Sequence, residues 1–352
     1  MQLACPIPIE EYPLVTLAHG GGGRLMRQLI GKLFGTAFDN AWLREQHDGA
    51  ILPGPPEGHG PGMLPVLTTD SFVVSPRVFP GGDIGELAIC GTVNDLAMCG
   101  AIPRHLTCSF VIEEGLAMDE LWQVASSMAR TAAAAGVEVV TGDTKVVDRG
   151  KADGLFVNTA GLGWVEPERQ ARPARIEPGD ALIVSGDVGR HGVAVLGARG
   201  ELGLGTAVES DCQPLNGQTR ALIDAGIDVH CLRDATRGGL ASALVELSAT
   251  RGLDVHLDET QVPVLDEVRG ACELLGLDPL YVANEGRFLA VVAGDQVDAA
   301  LDVLHRLAPD DGAAHIGSVG VEATRPRVHA TGITGVDRIL DLLSGEQLPR
   351  IC

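Results

Sequence analysis

Val137-Glu138-Val139-Val140-Thr141-Gly142-Asp143-Thr144-Lys145 is the stretch on which the fold turns. Three valines in four residues predict a strand, and Thr-Gly-Asp-Thr-Lys is delivered at its end. Asp143 and Lys145 are two residues apart, so on a strand both point to one face. Immediately upstream, 118–135 predicts a helix opened by Asp119 and Glu120, acidic residues at its positive end, and 102–112 predicts a strand. Further out, 66–71 reads as a strand ending on the carboxylate of Asp70. Pro80-Gly81-Gly82-Asp83-Ile84-Gly85 opens a helix over 86–99 that carries Asn94-Asp95 in its middle. A strand is expected over 154–163, and His47-Asp48-Gly49-Ala50 reads as a turn entering a short strand. Residues 53–62 are a Pro/Gly loop by composition.

Beyond 167–179, a stretch with three Arg and three Pro that reads as a linker, the alternation repeats. Strands are predicted at 181–185, 229–232, 287–292 and 313–317, and helices at 191–198, 218–225, 240–250, 264–275 and 297–307. The expectation is therefore α/β, with two domains at 16–166 and 180–343. They are flanked by an N-terminal arm (1–15) and a flexible tail (344–352). A length of 352 residues is large for one core and fits this division. The formal net charge of −21 argues against nucleic acid, whose phosphates must be neutralised by Lys and Arg. No apolar run approaches the roughly 20 residues needed to span a bilayer, and residues 1–12 lack a signal-peptide layout, so no membrane association and a cytoplasmic location are expected. None of the eight cysteines forms Cys-x-x-Cys, which argues against structural zinc. Cys90, Cys99 and Cys108 read as buried helix and strand residues.

Several residues carry potential chemistry. Gly20-Gly21-Gly22-Gly23 leads straight into a predicted helix over 24–34, closed by Gly35. That run reads either as a loop whose backbone N–H groups approach an anion or as a hinge. Asp48, Asp70, Asp95 and Asp143 each stand at a strand end or within a helix beside glycine; together they suit Mg²⁺, which shares carboxylates with substrate phosphates. Each alone is an ordinary cap or turn residue. Lys145 beside such a site would neutralise phosphoryl charge. Glu285 enters an apolar strand, where burial would raise its pKa and make it a usable base. Asp234 opens a second glycine turn, through Gly238-Gly239. His19 and His47 flank the proposed phosphate region, where either reads as a nucleotide contact or as a packing or capping residue. The chain ends Pro349-Arg350-Ile351-Cys352. Pro349 blocks helix continuation, and ten extended residues reach roughly 30 Å, enough to carry the Cys352 thiol into a distant cleft or out to another protein.

Asp48-Gly-Ala, Thr-Thr-Asp70-Ser, Asn94-Asp95-Leu, Thr-Gly-Asp143-Thr and Asp234-Ala-Thr-Arg-Gly-Gly together resemble the aminoimidazole-ribonucleotide synthetase (PurM-like) superfamily over residues 16–340. That superfamily includes selenophosphate synthetase and thiamine-monophosphate kinase. His19-Gly-Gly-Gly-Gly-Arg24, Pro80 to Gly85 and the terminal Pro-Arg-Ile-Cys resemble its HypE family, the carbamoyl dehydratases of hydrogenase maturation. The resemblance implies a homodimer whose N-terminal α/β domains join in a β-barrel, each followed by a C-terminal α/β sandwich. It implies ATP between the domains, held by Gly20 to Gly23, Asp70, Asn94, Asp143 and Thr144, with Mg²⁺ on Asp48, Asp70, Asp95 and Asp143. It further implies that Cys352 receives a carbamoyl group from the carbamoyltransferase HypF. With Lys145 and Glu285, the enzyme would then dehydrate that group to a thiocyanate, and cyanide would pass to the HypC–HypD complex. Two other classes of function are open from the residues. One is a sibling ATP-dependent synthetase acting on a free small molecule; the other is a non-catalytic nucleotide-binding scaffold.

Overall fold

The first sheet is built by strands whose side chains alternate between a covered and an open face. The computed structural model describes residues 14–15, 29–40, 62–200, 208–342, 348 and 350–352. Within it, Leu64–Phe72 (β1), Ile102–Glu113 (β2), Glu138–Val147 (β3) and Leu155–Val165 (β4) form a four-stranded sheet in the order β1-β4-β2-β3. β4 alternates buried and half-buried residues along its whole length. β1–β4 and β4–β2 are antiparallel, while β2–β3 is parallel. A parallel pair needs a crossover, here the helix Met118–Ala135 (α2). It starts with Asp119 and Glu120 and ends on Gly136 in the left-handed region at φ 71°, a conformation glycine adopts without strain.

Ile84–Met98 (α1) has no polar stripe. Only Glu86 and Asp95 of its 15 residues escape burial, because the helix is wedged between the first sheet and the second domain. Asp83 caps it, accepting from the amides of Gly85 and Glu86 and from the Ser127 hydroxyl of α2. At Gly85 a Cβ would stand 2.5 Å from the Val124 carbonyl oxygen, so glycine is what lets α1 and α2 touch. The glycine motif before this helix is thus a cap and a packing contact.

The second domain holds Ala181–Val184 (β5), Arg190–Ala198 (α3), Asn216–Asp224 (α4), Val229–Asp234 (β6), Gly239–Arg251 (α5), Leu253–Asp258 (β7) and Asp266–Leu275 (α6). Phe288–Val292 (β8), Val297–Leu307 (α7), Ala314–Glu322 (β9), Val328–Thr331 (β10) and Asp337–Leu340 (β11) complete it. Its seven strands run β11-β10-β7-β9-β5-β8-β6, antiparallel except for β10–β7. β8 is buried at every residue, which means that both faces are covered. Leu289 and Val291 meet the core under α5, and Phe288, Ala290 and Val292 meet Leu222 of α4 and Ala300 and Leu304 of α7. The chain thus divides into two α/β halves, as expected, and among the described residues the first sheet is open rather than closed into a barrel.

Several local expectations change. β3 does not stop at 140 but continues through Thr-Gly-Asp-Thr-Lys to Val147, paired with β2 as far as Glu113 with one register shift at Val140. β1 likewise continues past Asp70 to Phe72. Gly35 does not close the first helix, since 35–37 are still helical. Cys90 and Cys108 are buried as expected, whereas Cys99 is exposed at the end of α1. Gly20 to Gly23, His19, His47 and Asp48 lie outside the described residues. Among the described residues, no helix is long and apolar enough to cross a membrane.

Candidate functional site

Carboxyl groups converge where the two domains meet. Asp70 lies on the covered face of β1, its Oδ1 accepting from the Ser71 amide at 2.7 Å. Asp95 of α1 accepts from the Thr68 hydroxyl at 2.7 Å. From the other domain comes Asp234 at the end of β6, before a turn in which Gly238 and Gly239 take φ 76° and 62°. Glu285 enters β8 and is buried, and its amide and that of Gly286 donate to Asp211 Oδ2 at 3.3 and 3.1 Å. A Cβ on Gly286 would stand 1.8 Å from the Asp211 carbonyl oxygen, so only glycine allows that approach.

These carboxyls raise one another. Burial pushes Asp70 and Asp95 above the usual carboxylate range. Burial, then the charges of Asp95 and Asp70, push Asp234 up to about 7. Glu285 is held well above the ordinary value by burial and then by Asp234, Asp211 and Asp70. Glu285 Oε1 and Asp211 Oδ1 are buried without a hydrogen-bond partner in the protein, an arrangement that is costly unless the oxygens serve a site. Among the described residues, no three His, Cys, Asp or Glu side chains stand close enough to hold a metal ion by themselves. Hard carboxylate oxygens so placed suit Mg²⁺ shared with phosphate oxygens.

The repulsion has a pH signature. Asp234 titrates near 7 in the folded chain against 3.8 ordinarily, so the folded state binds the extra proton between those values, and stability is lost as pH rises through that window. Asp234→Asn should therefore stabilise the nucleotide-free protein at pH 8 by on the order of 2 kcal/mol, falling to about a third of that at pH 5. Thermal denaturation at the two pH values checks this; an equal gain at both would exclude a charge origin.

The residues expected from sequence divide into groups. Asp70, Asp95 and Glu285 are gathered here. Asp143 and Lys145 share a face and pair at 2.7 Å, both exposed, and the ammonium holds the Asp143 carboxyl below its ordinary range. They stand elsewhere, however. β3 is the edge opposite β1, and Asp143 aligns with Ser109 and Asn158 on the open face, whereas Asp70 aligns with buried Thr159. Three strand spacings separate the two aspartates, roughly 14 Å, so one chain does not assemble them. Thr144 points into the core at 3% exposure. Asn94, expected at the nucleotide, is instead a bracket between domains. Its Nδ2 donates to the carbonyls of Gln213 and Glu285, and its Oδ1 accepts from the Leu215 amide. Those bonds use both amide protons.

The tail is docked against the first domain. The Val73 amide donates to a Cys352 oxygen at 3.1 Å and the Ser75 amide to the Arg350 carbonyl at 3.2 Å, while Arg350 Nε donates to the Val73 carbonyl. Arg350 adopts φ 54° and pairs with Asp153 at 2.6 Å. Arg199 bridges the carbonyls of Ser75 and Arg350. Ile351 is 3% exposed, and Cys352 packs on the core cluster that includes Cys90, Cys212 and Ala283. Sequence reasoning foresaw a mobile thiol but not its dock. It also missed His191, Asp211 and the weight of Asp234, for which only the Asp-Ala-Thr-Arg-Gly-Gly turn gave a signal.

Comparison with known proteins matches these features. Residues 46–165 match the family "AIR synthase related protein, N-terminal domain", and 177–328 match its C-terminal domain. Carbamoyl dehydratase HypE of Escherichia coli (strain K12) is 47% identical over 338 residues, covering 96% of this chain and 99% of that protein. A crystal structure of hydrogenase maturation protein HypE in complex with ATP superposes with a TM-score of 0.89 at 44% identity, covering 96% of this chain and 99% of that one. The crystal structure of a HypE–HypF complex gives a TM-score of 0.76 at 42% identity over 89% of this chain and 99% of that one. With identity this high over nearly its whole length, and with a docked C-terminal cysteine beside a carboxyl-lined domain junction, the chain belongs to the HypE family of carbamoyl dehydratases.

Proposed function

We infer that this chain dehydrates an S-carbamoyl group on its own Cys352 to a thiocyanate at the expense of ATP, supplying cyanide ligands for the [NiFe]-hydrogenase iron. The observation that carries this reading is the docked tail, whose Cys352 packs on the core cluster that includes Ala283 and whose Ile351 carbonyl is held by His191, both beside the segment that carries Glu285. An amide oxygen is a poor leaving group. Transfer of the γ-phosphoryl group of ATP onto it makes a phosphate ester whose departure, with loss of both nitrogen protons, leaves S–C≡N, ADP and phosphate. Phosphoryl transfer asks mainly for positioning and charge neutralisation. Asp48, Asp70, Asp95 and Asp143 would hold Mg²⁺, which supplies positive charge to the triphosphate, and Gly20 to Gly23 would cover the phosphates. Lys145 would neutralise charge on the transferred group. Glu285, whose carboxyl is held well above its ordinary range by burial and neighbouring carboxylates, would take a nitrogen proton in its deprotonated form.

A second copy makes this constellation complete. One face of the first sheet is open, with Leu67 76% exposed, and among the described residues β1 and β3 are its unpaired edges. Two such sheets joined edge to edge in a barrel would cover that face and set the β3 edge of one protomer, which carries Asp143 and Lys145, beside the β1 edge of the other, which carries Asp70. Homodimerisation is thus part of the proposal, as are HypF as carbamoyl donor, HypC–HypD as cyanide acceptor, and a cytoplasmic setting that keeps thiols reduced.

The test is intact-mass analysis after incubation with HypF, carbamoyl phosphate and ATP. A carbamoyl adduct that loses one water in the presence of ATP is expected; absence of any adduct would point to a free small-molecule substrate.

A further inference from the structure

His191, the second residue of α3, has no role in the chemistry above, yet it is completely buried and touches the tail. Its Nε2 lies 2.7 Å from the Ile351 carbonyl oxygen and its Nδ1 lies 2.8 Å from Ser210 Oγ. A carbonyl only accepts, so Nε2 carries the proton. Burial holds the ring's pKa below its ordinary value, so the ring is neutral, and bare Nδ1 accepts from the Ser210 hydroxyl. The same hydroxyl oxygen accepts from the Cys212 amide at 3.1 Å. Phe79 packs against the ring edge-on at 5.3 Å. Every direction in this relay is therefore set.

Its far end is the proposed base. Asp211, between Ser210 and Cys212, accepts from the amides of Glu285 and Gly286. Beside His191, the Gly192 amide donates to the Ala283 carbonyl at 3.1 Å, two residues before Glu285. The imidazole thus bonds the last peptide of the tail on one side and Ser210 on the other, and the chain neighbours of His191 and Ser210, Gly192 and Asp211, bond the segment that carries Glu285. Resting on the dehydratase reading above, we propose that His191 is a positioning residue for dehydration, which fixes the Cys352-borne group relative to Glu285 by holding the Ile351 carbonyl. HypF must act on an undocked tail, because Ile351 is buried in the docked one. His191 therefore serves dehydration and not loading.

The two steps can be separated on the full-length protein. His191→Asn keeps a polar atom toward Ser210 but loses the donor to Ile351, whereas His191→Gln retains a donor near the Nε2 position. Each variant is incubated with HypF, carbamoyl phosphate and ATP, and the appearance of the carbamoyl adduct (loading) and its loss of one water (dehydration) are followed together by intact mass over time. Loading and the KM for ATP should stay within about twofold of wild type. The dehydration rate of His191→Asn should fall at least tenfold, since a displacement of about 1 Å at a reacting centre costs that much or more; His191→Gln should recover most of it. A wild-type rate in His191→Asn, equal losses in both variants, or loss of loading in parallel with dehydration would overturn the proposal. If His191→Asn does not fold, Ser210→Ala decides: it frees the ring and should slow dehydration severalfold with loading intact, and an unchanged rate would be fatal. A wild-type protein that loads but never loses water would instead refute the dehydratase reading itself.

Discussion

Cys352→Ala should take up no carbamoyl group from HypF while binding ATP within about twofold of wild type. A thiolate is the only group at the tail that is nucleophilic enough to accept an acyl-type group near neutral pH, and the three residues before it offer no substitute. The dock, by contrast, should survive. Val73 and Ser75 donate to backbone oxygens of residues 352 and 350, His191 reads the Ile351 carbonyl, and Arg350 pairs with Asp153. None of those bonds involves sulfur. The variant therefore separates chemistry from docking: protection of the tail from carboxypeptidase should match wild type while the mass shift disappears. Cys352→Ser sharpens the comparison, because a hydroxyl of similar size has a far higher pKa and should load more slowly by several orders of magnitude. Normal loading of the alanine variant would place the acceptor at another residue and remove the central claim.

Much of this molecule is legible without coordinates, for identifiable reasons. α2 and α7 fall where the sequence predicts them, because long segments with a helical apolar spacing and acidic first turns leave little choice. β7, β10 and β11 were missed. They are short, and β7 places Asp254, His256 and Asp258 between its apolar residues, so that its pattern is half polar. Alternation correctly put Asp143 and Lys145 on one face, but it is silent on which face meets the helices. That choice is made by Cys108 and Phe110 of the neighbouring strand, which are buried. Asn94 misleads for a similar reason. Asn-Asp in a helix beside glycine looks like a ligand pair, yet the partners of Asn94 lie 119 to 191 residues further along the chain. Nothing local announces them. His191 sits between Arg190 and Gly192 with no motif at all; its importance arises only because the tail returns to it across 160 residues.

Glu285→Gln should load normally and then stall, with ATP-dependent loss of water slowed by about 10² to 10⁴, the range that a general base contributes. The substitution keeps shape and leaves the backbone bonds to Asp211 and Asn94 in place, so loading and ATP affinity should hardly change. The pH dependence carries the sharper prediction. Burial and the neighbouring charges of Asp234, Asp211 and Asp70 hold the Glu285 carboxyl well above its ordinary 4.5. A base works only when deprotonated, so wild-type dehydration should rise with pH along a limb displaced far above the usual carboxylate range. Asp234, itself titrating near 7, belongs to the same electrostatic unit. The limb therefore reports the pair and not one residue. Neutralising the neighbour with Asp234→Asn should lower the apparent midpoint, because one repelling charge is gone. Glu285→Gln should flatten the limb altogether. A variant that retains both the rate and the wild-type pH limb would show that the proton leaves by another route and that the buried carboxyl is structural.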